Sequence, residues 1–168
     1  MPGADNQQER PSIEAIDASL GSFLSGFALG EGSFVIVCRR RRRAQRSFRI
    51  SAAFNVSQHD PEPLRLFMQT LGCGNMRRGG SGGWYWEVNR LSDLRTQLVP
   101  FFERFPLVGR KAHDFRLWRD AIDVLSIRGL GDQEYRTVLA LREGMNRGGK
   151  RRHRMEGILR DYTPSPSA

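Results

Sequence analysis

From Ile13 to Leu29 apolar residues recur at helical spacing, interrupted by small ones, and the period predicts a helix. Ser12 or Asp17 stands where an N-cap is wanted, and the helix should stop near Gly30–Gly32. The period then falls to two. Phe34, Ile36 and Cys38 alternate with Ser33, Val35 and Val37, which reads as a strand continuing through Arg39–Arg43 to a turn near Ala44–Arg46. A second strand is expected over Ser47 to Ser57. Phe48, Ile50, Ala52, Phe54 and Val56 share one face; Arg49, Ser51, Ala53, Asn55 and Ser57 share the other. Asp60-Pro61 opens a helix with the stripe Leu64, Phe67, Met68 and Leu71, closed by Gly72. Cys73–Arg78 and Trp84–Asn89 read as strands around a glycine-rich turn at 79–83. In the latter, Trp84, Trp86 and Val88 oppose Tyr85, Glu87 and Asn89. Ser92 is the expected cap of a helix bearing Leu94, Leu98, Phe101 and Phe102. Beyond Phe105-Pro106, helices are expected over Arg110–Arg128, with Phe115, Trp118, Ile122 and Leu125 inward, and over Asp132–Asn146.

The order is α-β-β-α-β-β-α. It predicts an α+β domain in which helices cover one face of an antiparallel four-stranded sheet and leave the other open. Residues 12–146 would form that domain. Residues 1–11 are polar and aperiodic and are expected to be disordered. Residues 147–168 begin with the basic run Arg147–Arg154 and read as a flexible tail, either simply solvated or adding phosphate contacts.

Charge sharpens the picture. The 168 residues carry 27 Lys+Arg against 18 Asp+Glu, a net charge of +9, and nearly all of the positive charge is arginine. Arginine forks onto phosphates and guanine edges, so the excess favours a nucleic-acid partner, the bland alternative being an arginine-rich proteome. Cys38 and Cys73 lie in no paired spacing, and His59, His113 and His153 are scattered, which argues against a disulfide framework or a zinc site. With no long apolar run and no signal peptide, an intracellular setting is expected, in cytoplasm, nucleoid or organelle matrix, rather than secretion.

Two features of the first helix carry chemistry. Ser22, Gly26 and Gly30 recur every four positions and stack on one face, where small residues let two backbones approach closely. With Ser25 and Leu29 they form the expected interface of a homodimer about a two-fold axis. The helix ends at Glu31, where the helix dipole disfavours an acid; the bland reading is a solvated side chain. Two chains would bring two such carboxylates together. Divalent cations relieve that repulsion, and Mg²⁺, with Mn²⁺ as the alternative, takes such oxygen ligands.

Leu24-Ser25-Gly26-Phe27-Ala28-Leu29-Gly30-Glu31-Gly32 resembles the LAGLIDADG motif of homing endonucleases, and the resemblance extends over about residues 16 to 128. It departs from the motif at Leu29, where the family often has Asp, and at Glu31, where Asp is common. The resemblance implies a single-motif homodimer that makes metal-dependent double-strand breaks at a long pseudo-palindromic DNA site, in the homing of an intron or similar element. It implies Glu31 and the Gly30 carbonyl as metal ligands. Phe54-Asn55-Val56-Ser57-Gln58 is similar to the family's F-x-(V/I)-(T/S)-Q segment, which implies that Gln58 orders water. Lys111 would be the active-site lysine, with Arg110 as a substitute. Intron RNA is a further partner that the resemblance admits. A splicing maturase or a non-cleaving DNA-binding regulator would share the fold. An unrelated RNA-binding α+β protein would use Trp84 and Trp86 for stacking, but they share a face with Val88 and no RNP-type segment is present.

The open face would read DNA in the major groove through Ser33, Val35, Val37, Arg39 and Arg41, then Arg49, Ser51 and Asn55, then Asn75, Arg77, Tyr85 and Glu87. Arg40, Arg42, Arg43 and Arg46 would hold phosphates near the turn. That arginine run also reads as a solvated turn or an import signal.

Overall fold

The computed structural model describes residues 10–40, 48–146 and 154–160. Helix α1 spans Ala18–Glu31, after a 3₁₀ turn at Ile13–Ala15. It starts later than the apolar period predicts because Asp17 sits extended and caps it, accepting from the Ser19 and Leu20 N–H groups at 2.9 and 3.1 Å. Strands β1 (Gly32–Arg40) and β2 (Phe48–Gln58) pair antiparallel. After α2 (Glu62–Leu71), β3 (Asn75–Arg78) and β4 (Trp84–Val88) form a second antiparallel pair. The sheet order is β1-β2-β4-β3. Gly72 closes α2 in the left-handed conformation, φ 60°, which a side chain would strain.

Residues 91–104 wind as one rod: α3 (Leu91–Asp93), a π-helical stretch at Leu94–Leu98, and α4 (Val99–Arg104). Pro100 brings no N–H, so the ladder is interrupted, and the wider turn lies immediately upstream. Ser92 is not the cap. That position belongs to Arg90, and the Ser92 hydroxyl faces Asp93 at 3.4 Å. Helices α5 (Gly109–Leu125) and α6 (Asp132–Gly144) follow close to their expected places.

The alternation of the strands sets the layers. Phe34, Ile36, Phe54, Val56, Trp86 and Val88 point to the helices and join one core with Leu24, Phe67, Leu98, Phe102 and Trp118. Phe34 sits at the centre, with ring centroids 4.9 to 5.5 Å from Phe54, Phe102, Phe115 and Trp118. Both buried indoles keep a partner: Trp86 donates to the Cys73 carbonyl and Trp118 to the Ala53 carbonyl, each at 3.0 Å. Cys38 and Cys73 form no disulfide, and burial pushes the Cys73 thiol up to about 12.

The described residues of the two end segments make tertiary contacts. Arg10, within the stretch expected to be disordered, pairs with the buried Asp93 at 2.7 Å. Within the expected tail, Met155–Arg160 form helix α7, whose Ile158 is fully buried against a small second core with Phe48, Tyr135 and Leu139. The density of arginine hides that apolar anchor.

Gly21 faces inward on α1. A Cβ there would lie 2.2 Å from the Phe105 ring. Overpacking of this kind costs about 1–3 kcal/mol, against a gain of about 1 kcal/mol in helix propensity. Gly21→Ala should therefore lower the denaturant midpoint of unfolding at an unchanged m-value. A raised midpoint would mean the ring moves aside freely.

Candidate active site and nucleic-acid interface

Helix α1 hands over to β1 without a loop. Glu31 is the last helical residue and Gly32 the first of the strand. A Cβ on Gly32 would meet the Ala28 carbonyl oxygen at 2.6 Å and the Phe54 ring at 3.0 Å, so only glycine fits this junction. The handover leaves Glu31 exposed at the negative end of the helix dipole, with no basic residue in the last turn of α1. A carboxylate there, beside unpaired helix-terminal carbonyls, concentrates negative potential and suits a cation.

Other elements converge on that point. Gln58 ends β2, and its side-chain oxygen accepts from the His59 N–H at 2.8 Å. Glu31 and Gln58 line one cleft of about 180 Å³ with Ser57, His59, Ser81, Gly83, Trp84 and Tyr85. Lys111 enters from the first turn of α5, and its ammonium donates to the Gly32 carbonyl. Burial pulls its pKa below the ordinary lysine range, and Asp114 and then Glu31 pull it back. Arg110 points to solvent. The three residues expected to serve catalysis thus gather at one end of the sheet. His59 and Ser81 were not singled out from the sequence, and Trp84 was weighed only for base stacking and read as core. His59 follows Gln58 directly, which was the available signal; Ser81 sits in a glycine turn whose approach to β2 is a tertiary feature.

The donor set can be tested against a divalent ion. A carboxylate with a helix-terminal carbonyl supplies hard oxygen ligands of the type Mg²⁺ takes. Among the described residues no group of three or more His, Cys, Asp or Glu could hold a metal by itself. A divalent ion at that point would need further oxygen ligands from water, phosphate or a second chain.

The open face is ordered in rows by strand register. Ser33, Asn55, Glu87 and Asn75 stand side by side across all four strands. Ser57, Tyr85 and Arg77 form the next row toward Gln58; Val37 pairs with Ser51 and Arg39 with Arg49 toward the far end. From Ser33 to Arg39 the ribbon runs about 20 Å, the length of about six base-pair steps. Ala53, although on this side, is buried. The Arg77 guanidinium lies 4.5 Å over the Tyr85 ring and 3.7 Å from Glu87, an exposed pair that fixes its direction more than it stabilises. Arg40 continues β1 on the opposite side of the strand. Arg41, Arg42, Arg43 and Arg46 lie outside the described residues.

On α1 the expected interface face is mostly bare. Ser22, Gly26, Leu29 and Gly30 are exposed, and a Cβ on Gly26 or Gly30 would meet nothing within 4 Å. Ser25 departs from the expectation. It is buried, and its hydroxyl donates to the Phe105 carbonyl at 2.8 Å, so its side chain holds the loop before α5 rather than facing outward.

Two side-by-side hairpins under helices, with an acid at the end of a small-residue helix and a basic open sheet, define a class of nucleic-acid-facing α+β domain. The LAGLIDADG endonuclease family matches residues 24–122, more than half of the chain, and the chain belongs to that family. It is similar to the probable intron-encoded endonuclease 3 of Neurospora crassa, 27% identical over 114 residues, 66% of this chain and 21% of that one. Its similarity to the homing endonuclease I-ApeII of Aeropyrum pernix is 23% identity over 154 residues, 84% of this chain and 89% of the relative. Among solved structures, the meganuclease I-SmaMI bound to uncleaveable DNA superposes with a TM-score of 0.72 at 26% identity, over 77% of this chain and 45% of that chain. The homing endonuclease I-TnaI gives 0.71 at 26% identity, over 84% and 94%. The chain thus spans about a fifth of the Neurospora relative and under half of I-SmaMI.

Proposed function

We propose that this chain is a site-specific endonuclease of double-stranded DNA that works as a homodimer with divalent metal. The observation that carries the reading is the convergence of Glu31, Gln58 and Lys111 at the end of a polar, basic sheet face. The sheet lies along the major groove, and the row through Ser33, Asn55, Glu87 and Asn75 contacts base edges. Arginines at the ribbon's far end hold phosphates and set the register. The bare face of α1 meets its copy in a second chain, so that two Glu31 side chains and two cleft ends address the two strands. Two-fold symmetry then makes the target pseudo-palindromic.

Glu31 and the Gly30 carbonyl would hold Mg²⁺ or Mn²⁺, which supplies Lewis-acid stabilisation and a more acidic bound water. Gln58 orients water in the cleft. Lys111 places positive charge beside the developing charge on the phosphate.

Incubation with randomised duplex DNA and Mg²⁺, followed by sequencing of the cut ends, tests the reading. Double-strand cuts at a roughly two-fold symmetric site are expected. Binding without cutting, or a preference for folded intron RNA, would transfer the assignment to a regulator or a maturase.

A further inference from the structure

We propose that Asp114 is a positioning residue for Lys111, acting from a buried strut that ties α5 to the end of α6 and to β1. The inference rests on the reading that Lys111 serves cleavage. Lys111 and Asp114 are three residues apart on α5 and so share a face of the helix. Asp114 is only 5% exposed, and a buried carboxylate is costly unless donors and a positive charge compensate it. One donor is the Asn146 N–H, 3.1 Å from Oδ1. A carboxylate accepts about four hydrogen bonds, so this contact leaves most of its capacity for a cation on the same face.

Asn146 closes the strut. Its side-chain amide donates to the Phe34 carbonyl at 3.4 Å, two residues beyond the Gly32 carbonyl that receives the Lys111 ammonium. It is held in the left-handed region at φ 48°, the only non-glycine there among the described residues. Such strain persists where surrounding contacts determine the position. Hydrogen bonds therefore run from Asp114 through Asn146 to Phe34 on β1, two residues from the carbonyl that receives Lys111, and the helix spacing brings Asp114 and Lys111 to one face.

Electrostatics explains why the path matters. Burial works against the charge of Lys111, and Asp114 opposes that effect more than Glu31 does. A cation held at Glu31 would draw that carboxylate away from the ammonium, and Asp114 would then be the carboxylate left to hold Lys111 toward Gly32.

The test is a double-mutant cycle with wild type, D114N, K111M and the double variant, read as single-turnover cleavage and as DNA affinity. D114N should slow cleavage about tenfold or more with affinity within about twofold of wild type, and cost nothing further in the K111M background. Equal losses in both backgrounds, or no loss at all, would overturn the proposal. If D114N fails to fold in a thermal scan, Asp114→Glu, which keeps the charge and displaces it, is carried through the same cycle with the same criterion. Cleavage by wild type with an additive cycle would condemn only the strut. A wild type that cuts nothing would condemn the endonuclease reading, and this proposal with it.

Discussion

Glu31→Gln is expected to bind the target duplex as tightly as wild type and to leave it uncut. The variant keeps the side-chain length and an oxygen acceptor but loses the charge. Glu31 is exposed at the carbonyl end of α1, and no hydrogen bond within the described chain depends on it. Removing an acid from that end relieves its repulsion with the helix dipole, so the melting temperature should hold or rise slightly. Binding should hold because the reading face, from Ser33 to Arg39 and across to Asn75, is untouched. Cleavage should fall by about a thousandfold or more, since a neutral amide is a poor ligand for a hard dication and the charge it anchors is lost with it. Gel-shift and cleavage assays on one substrate separate the two effects. Cutting within about tenfold of wild type would show that Glu31 is not the ligand, whatever the fold.

The layers of this protein were legible because strand period and burial agree. Phe34, Ile36, Phe54, Val56, Trp86 and Val88 alternate in sequence and face the core in space. Glu31 could be singled out because it ends a helix, where a side chain is placed by its neighbours in sequence, whereas Gln58 was named by its resemblance to a family segment. Lys111 was named by resemblance, but its direction depends on burial beside Gly32, which no local pattern encodes. Ser25 shows the limit most clearly. Its helical period places it among Ser22, Gly26 and Leu29, yet a carbonyl eighty residues away captures its hydroxyl. Asp114 and Asn146 were invisible for the same reason, because their partners lie on other elements. The α7 anchor failed differently: Met155, Ile158 and Leu159 give only about one turn of helical spacing directly after an arginine run, too short a stretch for a period to stand out.

Gly26→Leu should give a folded, stable chain that neither dimerises nor makes double-strand breaks. The contrast with Gly21 decides this. At Gly21 an added Cβ strikes Phe105, so the chain's own packing accounts for the glycine. At Gly26 and Gly30 the chain offers no such reason, since nothing lies within 4 Å, and glycine costs a helix interior about 1 kcal/mol relative to alanine. Leucine at position 26 should therefore raise the stability of the isolated chain by a comparable amount. In the dimer the same side chain would stand between two α1 backbones that need close approach, and the two Glu31 carboxylates would be held apart. Assembly also starts at a disadvantage: each chain carries +9, so two repel at low salt and the duplex helps to unite them. Sedimentation with and without target DNA, alongside cleavage of a supercoiled plasmid, reads both halves of the prediction. Loss of assembly and of linear product together with a raised melting temperature would place the two-fold contact on this face of α1. An intact dimer that still linearises the plasmid would mean that the chains meet elsewhere, and that the small residues of α1 serve another end.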